Sequence, residues 1–135
     1  MSLGFLLVRA ERRAYGLPLE HVVEVADLAE VMDVPRADPS VRGLTPLRGK
    51  LVPLVHLGAF LGGREPPDQR GRAAVLVELA GRYLALEVDD ADEVIRGASL
   101  PLPDGESLPW AIGVAARTSG LVPILDLDAL GERIR

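Results

Sequence analysis

His21 and His56 are the only imidazoles in this 135-residue chain, and there is no cysteine. A zinc site needs three or four ligands, and a catalytic triad needs a nucleophile and an orienting carboxylate around its histidine. Neither histidine can be given such a set from spacing. Each is read as a solvated side chain, with no metal or cofactor expected. The acidic run EVDDADE, Glu87 to Glu93, has the charge for a cation but lacks the glycine turn and terminal glutamate of a calcium loop. It reads as a solvated turn. GGREPPDQRG has glycines without the spacing of a phosphate loop, and prolines interrupt it. The serines stand in no nucleophile-elbow pattern. With no acid–base or nucleophile set to assemble, the chain reads as a non-enzyme.

VRGLTPLRGK, Val41 to Lys50, remains. Gly43 and Gly49 permit close backbone approach or positive φ. Arg48 stands between them, beside apolar Leu47 and Leu51. Its planar fork of donors and its packing stem suit a protein interface. The same side chain would also steady the turn by pairing with Glu24 or a carbonyl. The residues alone leave both readings open.

The elements that must carry this turn read as strands. Phe5 to Val8 and the run through Tyr15 and Leu17 form a hairpin turning at Arg12-Arg13, and Val23 and Val25 alternate with Glu24. Leu28 to Met32 is expected as a short helical turn, stopped by DVPRADP. Ser40 to Leu57 is strand, turn, strand, and GAFLGGREPPDQRGR a loop. Ala73 to Leu79 and Tyr83 to Val88 flank Ala80-Gly81-Arg82 as a second hairpin. Two more strands and a helical turn over Asp126 to Ile134 close the chain.

The halves repeat. Tyr15 matches Tyr83, Glu24-Val25 matches Glu93-Val94, and Gly43 matches Gly113. Leu51, Val52, Pro53 and Leu57 recur as Leu121, Val122, Pro123 and Leu127, while His56 meets Asp126. Two copies of about 70 residues are too few for a solenoid and fit two small β-barrels packed together. Arg48 aligns with Thr118, with Arg117 one place away, so LRG reads as unshared and LVP as architecture. Proline removes a ladder donor, so Pro53 and Pro123 are expected at a bulge or barrel corner. Leu51, Pro53, Val55 and Leu57 are expected to face inward.

A net charge of −5 and 4% aromatic residues speak against nucleic-acid binding. No apolar run is long enough to span a bilayer, and the first residues lack the basic leader of a signal peptide. The expected location is the cytoplasm, without membrane insertion.

FLLV with YGLPLEHVVEV, then VRGLTPLRGKLVPLVHLGAFLG, AVLVELAGRYLALEVDDADEVI and AIGVAARTSGLVPILDLDAL, together resemble the CheW-like domain of bacterial chemosensory adaptors, over nearly the whole chain. The resemblance implies an all-β fold of two pseudo-symmetric five-stranded SH3-like β-barrels packed together, with short helical turns. It implies one domain over 1–135, with repeat halves of about 1–70 and 71–135 similar enough to intertwine. It implies an adaptor that couples chemoreceptor cytoplasmic tips to a CheA-like histidine kinase through the kinase's CheW-like regulatory domain, in chemotaxis or a related chemosensory or twitching pathway. Arg48 falls on the family's L-R-G arginine, Val22 and Glu24 on its V-x-E segment, and Gly43 and Gly49 on its flanking glycines. Pro46 replaces the usual asparagine and His56 the usual acid. The alternative reading is a small-molecule-sensing or self-assembling regulatory barrel module.

Overall fold

The computed structural model describes residues 4–35, 38–97, 99–102, 108, 110–118 and 120–134. It opens on a hairpin of β1 (Gly4–Ala10) and β2 (Arg13–Pro18). Ala10 pairs with Arg13, so the turn is Glu11-Arg12, both at positive φ, and not Arg12-Arg13. A 3-10 turn over Leu19–His21 leads into β3 (Val22–Asp27), and β4 (Val41–Leu47) and β5 (Lys50–His56) follow as a hairpin. Leu28 to Met32 is not helical. Met32 instead bridges Leu44 of β4 through both of its backbone groups.

GAFLG, expected as loop, opens a short helix, α1 (Leu57–Gly62). His56 caps it, its Nδ1 accepting from Ala59 N at 3.0 Å, and Gly63 ends it in the left-handed conformation. Histidine is not among the preferred cap residues, which is why the start signal is silent in the sequence. The glycine stop was the readable half.

The second half repeats the order. It runs β6 (Ala73–Leu79), β7 (Arg82–Val88), β8 (Asp90–Arg96), β9 (Ala111–Arg117), β10 (Gly120–Leu125) and α2 (Leu127–Arg133). The acidic run is therefore the end of β7 and most of β8, not a solvated turn. Asp126 caps α2 by accepting from Ala129 N at 3.1 Å, as His56 does for α1.

One sheet runs β8-β1-β2-β10-β9 and the other β3-β6-β7-β5-β4. The orders are identical once each element is replaced by its repeat partner. Each sheet joins the leading hairpin of one half to the three later strands of the other. The bulges recur too, at Val23 and Asp92 and at Arg42 and Ile112. The ladder also corrects the alignment of the first hairpins. Tyr15 faces Val8 as Leu84 faces Val77, so Leu84, not Tyr83, is the partner of Tyr15.

Three cores result. Phe5, Ala115, Val122 and Ile124 fill one barrel, and Val52, Leu54, Ala74, Leu76 and Ala85 fill the other. The largest lies between them, where Leu6, Val8, Tyr15 and Leu17 meet Val75, Val77, Leu84, Leu86 and residues of both helices. Strands buried on both sides read as continuous apolar runs. This reverses the expected faces of β5. Val52 and Leu54 point into the barrel, Val55 into the inter-barrel core, and Leu51 is 53% exposed, as Leu121 is at 56%.

Pro53 does not occupy a bulge. The register runs unbroken through Leu44–Pro53, and the bulge is on β4 at Arg42. Leu44 turns its N–H and C=O outward to Met32, so it offers Pro53 no carbonyl. On the other side the parallel ladder to β7 begins one residue later, at Leu54–Ala85. Pro123 is placed alike: it faces Val114, whose backbone bonds Leu100, just before Ile124–Gly16. Both prolines stand where no donor is needed.

Candidate functional site

The β4–β5 turn consists of two residues, Arg48 and Gly49, both left-handed at φ 52 and 73. Such turns match the twist of the strands they join and favour Asn-Gly or Gly-Gly. Glycine at the second position meets this demand freely. Arginine at the first costs about 1 kcal/mol, so its side chain is kept there at some expense to the fold.

The Arg48 Nε donates to Glu24 Oε1 at 2.5 Å, across from β3, while 60% of the Arg48 side chain stays exposed. An exposed pair of this kind is worth at most about 1 kcal/mol. Its main effect is to aim the guanidinium, leaving the outer donors to solvent. Behind it a cleft of about 240 Å³ is lined by Leu47, Lys50, Val52, Leu76 and Tyr83. Lys50 Nζ lies 4.8 Å from the Tyr83 ring centroid, and Val52 and Leu76 belong to the barrel core. The patch is a cationic rim around an apolar barrel mouth, with exposed Leu51 following Lys50.

Of the five residues singled out from sequence, Arg48, Gly49 and Glu24 meet at this mouth. Val22 and Gly43 do not. Val22 starts β3 and packs against the inter-barrel core. Gly43 is buried where a Cβ would overlap the Met32 carbonyl, and a Cβ on Gly113 would crowd the Leu100 carbonyl oxygen at 2.6 Å. Those glycines admit the Met32 and Leu100 bridges. Pro46 lies on β4, an edge strand, and is exposed. Proline on an edge discourages further strand pairing.

The Arg48–Glu24 pair also has a counterpart. Arg117 donates to Glu93 at 2.9 Å at the other barrel. The ladder sets Arg117 level with Leu47, yet both arginines reach back to the equivalent glutamate. The arginine is thus shared between the halves, contrary to the reading of LRG as unshared.

Sequence reasoning missed a second ionic group. Arg42 extends from the β4 bulge and holds Glu87 with two bonds, at 2.7 and 3.1 Å, while Gly71 N donates to the same carboxylate at 2.7 Å. Arg42 also donates to the Pro67 carbonyl at 2.8 Å. Glu87 is 1% exposed. This clasp ties the connection between the halves to both hairpins. His56 lies opposite Glu87 in the β5–β7 ladder and is buried, not solvated. Burial lowers its pKa and Arg42 and Arg64 add to that, against Glu87 and Glu11. Asp38 is partly buried, which raises its pKa, but bonds from the Ser40 hydroxyl and N–H, with Arg133, outweigh burial and hold it low. Among the described residues no group of three or more His, Cys, Asp or Glu is placed to hold a metal, and no helix is long and apolar enough to cross a membrane.

Residues 4–135 match the family model of the CheW-like domain. The chain belongs to the CheW-like domain family. Over 130 residues it is 28% identical to protein FrzA of Myxococcus xanthus, spanning 96% of this chain and 78% of that one. It is 24% identical over 131 residues to the chemotaxis protein CheW of Treponema pallidum, spanning 86% of this chain and 74% of the relative. The crystal structure of the scaffolding protein TtCheW from Thermoanaerobacter tengcongensis superimposes with a TM-score of 0.80 at 24% identity, covering 96% of this chain and 88% of that one. That likeness carries the two-barrel, SH3-like fold. Within this CheW-like domain, Pro53, Pro123, Gly43 and Gly113 are fold-building positions.

Proposed function

We propose that this CheW-like domain is a non-catalytic cytoplasmic adaptor that binds the CheW-like regulatory domain of a histidine kinase and the cytoplasmic tip of chemoreceptors, in a chemotaxis or related chemosensory pathway. The observation that carries this reading is Arg48, held on a left-handed turn, aimed by Glu24 and exposed beside an apolar barrel mouth. Arg48 is the anchor, Glu24 orients it and Gly49 permits the turn. Gly43 and Val22 act through the shape of β4 and β3. The names of the relatives, a chemotaxis protein and a scaffolding protein, support the same reading.

The test is surface plasmon resonance against the isolated regulatory domain of the kinase. Arg48→Glu is expected to weaken binding about 30-fold or more, the equivalent of roughly 2 kcal/mol for a hot-spot arginine. Its melting temperature should stay within a few degrees of the parent, because the pair it breaks is exposed. Equal binding by both proteins removes Arg48 from the interface, and binding by neither removes the partner.

One observation favours self-assembly as the second reading. Exposed apolar residues come in repeat-related pairs, Leu51 with Leu121 and Val25 with Val94. Light scattering over a concentration series distinguishes it: a mass that stays monomeric sinks it.

A further inference from the structure

The β1–β2 hairpin carries Arg9, Arg12 and Arg13 at the seam where β2 leaves β10. The two strands share a single register pair, Gly16–Ile124. The equivalent seam in the other sheet runs through three, from Leu54–Ala85 to His56–Glu87. Beside that one pair a cleft of about 440 Å³ opens, with the three arginines on its rim and Trp110 and Leu121 among its apolar lining.

The charge in this cleft is not neutralised from within. Arg42, Arg48, Arg64, Arg117 and Arg133 each hold a carboxylate. Among the described residues no ion pair engages Arg9, Arg12 or Arg13. Asp90 lies opposite Arg9 in the β1–β8 ladder, but its carboxylate is not within bridging distance. Arg13 stands near Tyr15: burial raises the pKa of the Tyr15 hydroxyl and Arg13 opposes that rise. In a chain of net charge −5 this is a local concentration of positive charge. Apolar surface stands beside it: Leu121 is 56% exposed, and Trp110 meets Tyr15 edge-on with centroids 5.7 Å apart.

We propose that this cleft docks an acidic peptide segment of a partner protein, with carboxylates on Arg9, Arg12 and Arg13 and an apolar side chain between Trp110 and Leu121. The guanidiniums are spread over strand, turn and strand. Same-face side chains of an extended peptide recur about every 7 Å, a spacing that suits successive acids of one chain better than a single phosphate. A free polyphosphate would leave Leu121 bare. The site is on the opposite barrel from Arg48, so it stands or falls separately from the adaptor interface.

Trp110 is the only tryptophan and serves as the reporter. The probes are an acetylated octapeptide alternating glutamate and leucine, the same peptide with lysine for every glutamate, and sodium tripolyphosphate. The glutamate peptide is expected to shift Trp110 emission saturably. Affinity should fall more than tenfold in Arg9→Glu/Arg12→Glu and survive in Arg70→Glu. If circular dichroism shows the double variant unfolded, Arg12→Gln replaces it, with a smaller loss expected in the same direction. Undiminished binding by the arginine variants, or equal binding of the lysine peptide, overturns the proposal. Tripolyphosphate matching the peptide's affinity overturns it in favour of a small-anion site. A concentration-dependent dimer in sedimentation that the double variant abolishes overturns it in favour of a second copy of this chain.

Discussion

His56 and Asp126 cap repeat-related helices through the same N–H, three residues on, with different acid–base chemistry. Nδ1 of His56 accepts its bond only when unprotonated. Its folded pKa lies below the ordinary value, by burial first and then by Arg42 and Arg64 against Glu87 and Glu11. The unfolded chain therefore takes up the proton first as pH falls. The stability tied to His56 is complete above about pH 6.5 and declines as pH drops from there toward the folded pKa. Urea unfolding at a series of pH values should show this slope, and His56→Asn, which keeps a neutral cap, should flatten it. An unchanged slope in the variant assigns it to another group. Arg42 and Glu87 allow a larger effect. Arg42→Met strands a buried carboxylate and is expected to cost about 3–5 kcal/mol in urea unfolding. The double replacement Arg42→Met/Glu87→Met should cost less than that single one. A cost below about 1 kcal/mol for Arg42→Met would mean that Glu87 is satisfied without it.

The strand ladders explain what individual substitutions in β4 and β5 should do. Pro53 occupies a position with no acceptor, so Pro53→Ala should shift stability by no more than about 1 kcal/mol. Gly43→Val drives a side chain into the Met32 carbonyl and should lower the melting temperature by many degrees; an unchanged value would mean that the Met32 bridge is dispensable. Most strands were legible because period-two runs and glycine turns mark them directly. The facing of β5 was not. Leu51, Val52, Leu54 and Val55 are all apolar, and a strand that serves a barrel interior on one side and the inter-barrel core on the other has no polar face to reveal its orientation. Matching residues by identity also misled at Tyr15 and Tyr83, because the hairpins superpose one position away from that match. The second arginine–glutamate pair was hidden for a different reason: Arg117 stands level with Leu47, not Arg48, yet reaches the equivalent glutamate. Glu24 was legible as one partner for Arg48, since apolar β3 offers it as an outward acid. The Arg42–Glu87 clasp was not, because a glutamate at the head of an acidic run gives no sign that it is buried.

At the scale of the whole molecule, neither sheet belongs to one half of the chain. Barrel stability is thereby shared, and the two barrels are expected to unfold together. Trp110 fluorescence and far-ultraviolet circular dichroism should give coincident urea transitions; two separated transitions would show the barrels to be independent. The exchange also fixes an order in time. The β1–β2 hairpin leaves the ribosome before the other strands of this domain, yet its sheet partners β8, β9 and β10 come roughly 70 residues or more later in the sequence. At roughly 5–20 residues per second, the hairpin waits on the order of 4–16 s between completion of β1 and the arrival of β8. Through that interval it keeps both strand edges and the apolar faces of Leu6, Val8 and Leu17 uncovered. The first barrel to reach its full set of strands is the other one, completed by β6 and β7, and the nascent chain carries its opening hairpin unfinished until β8, β9 and β10 have been made.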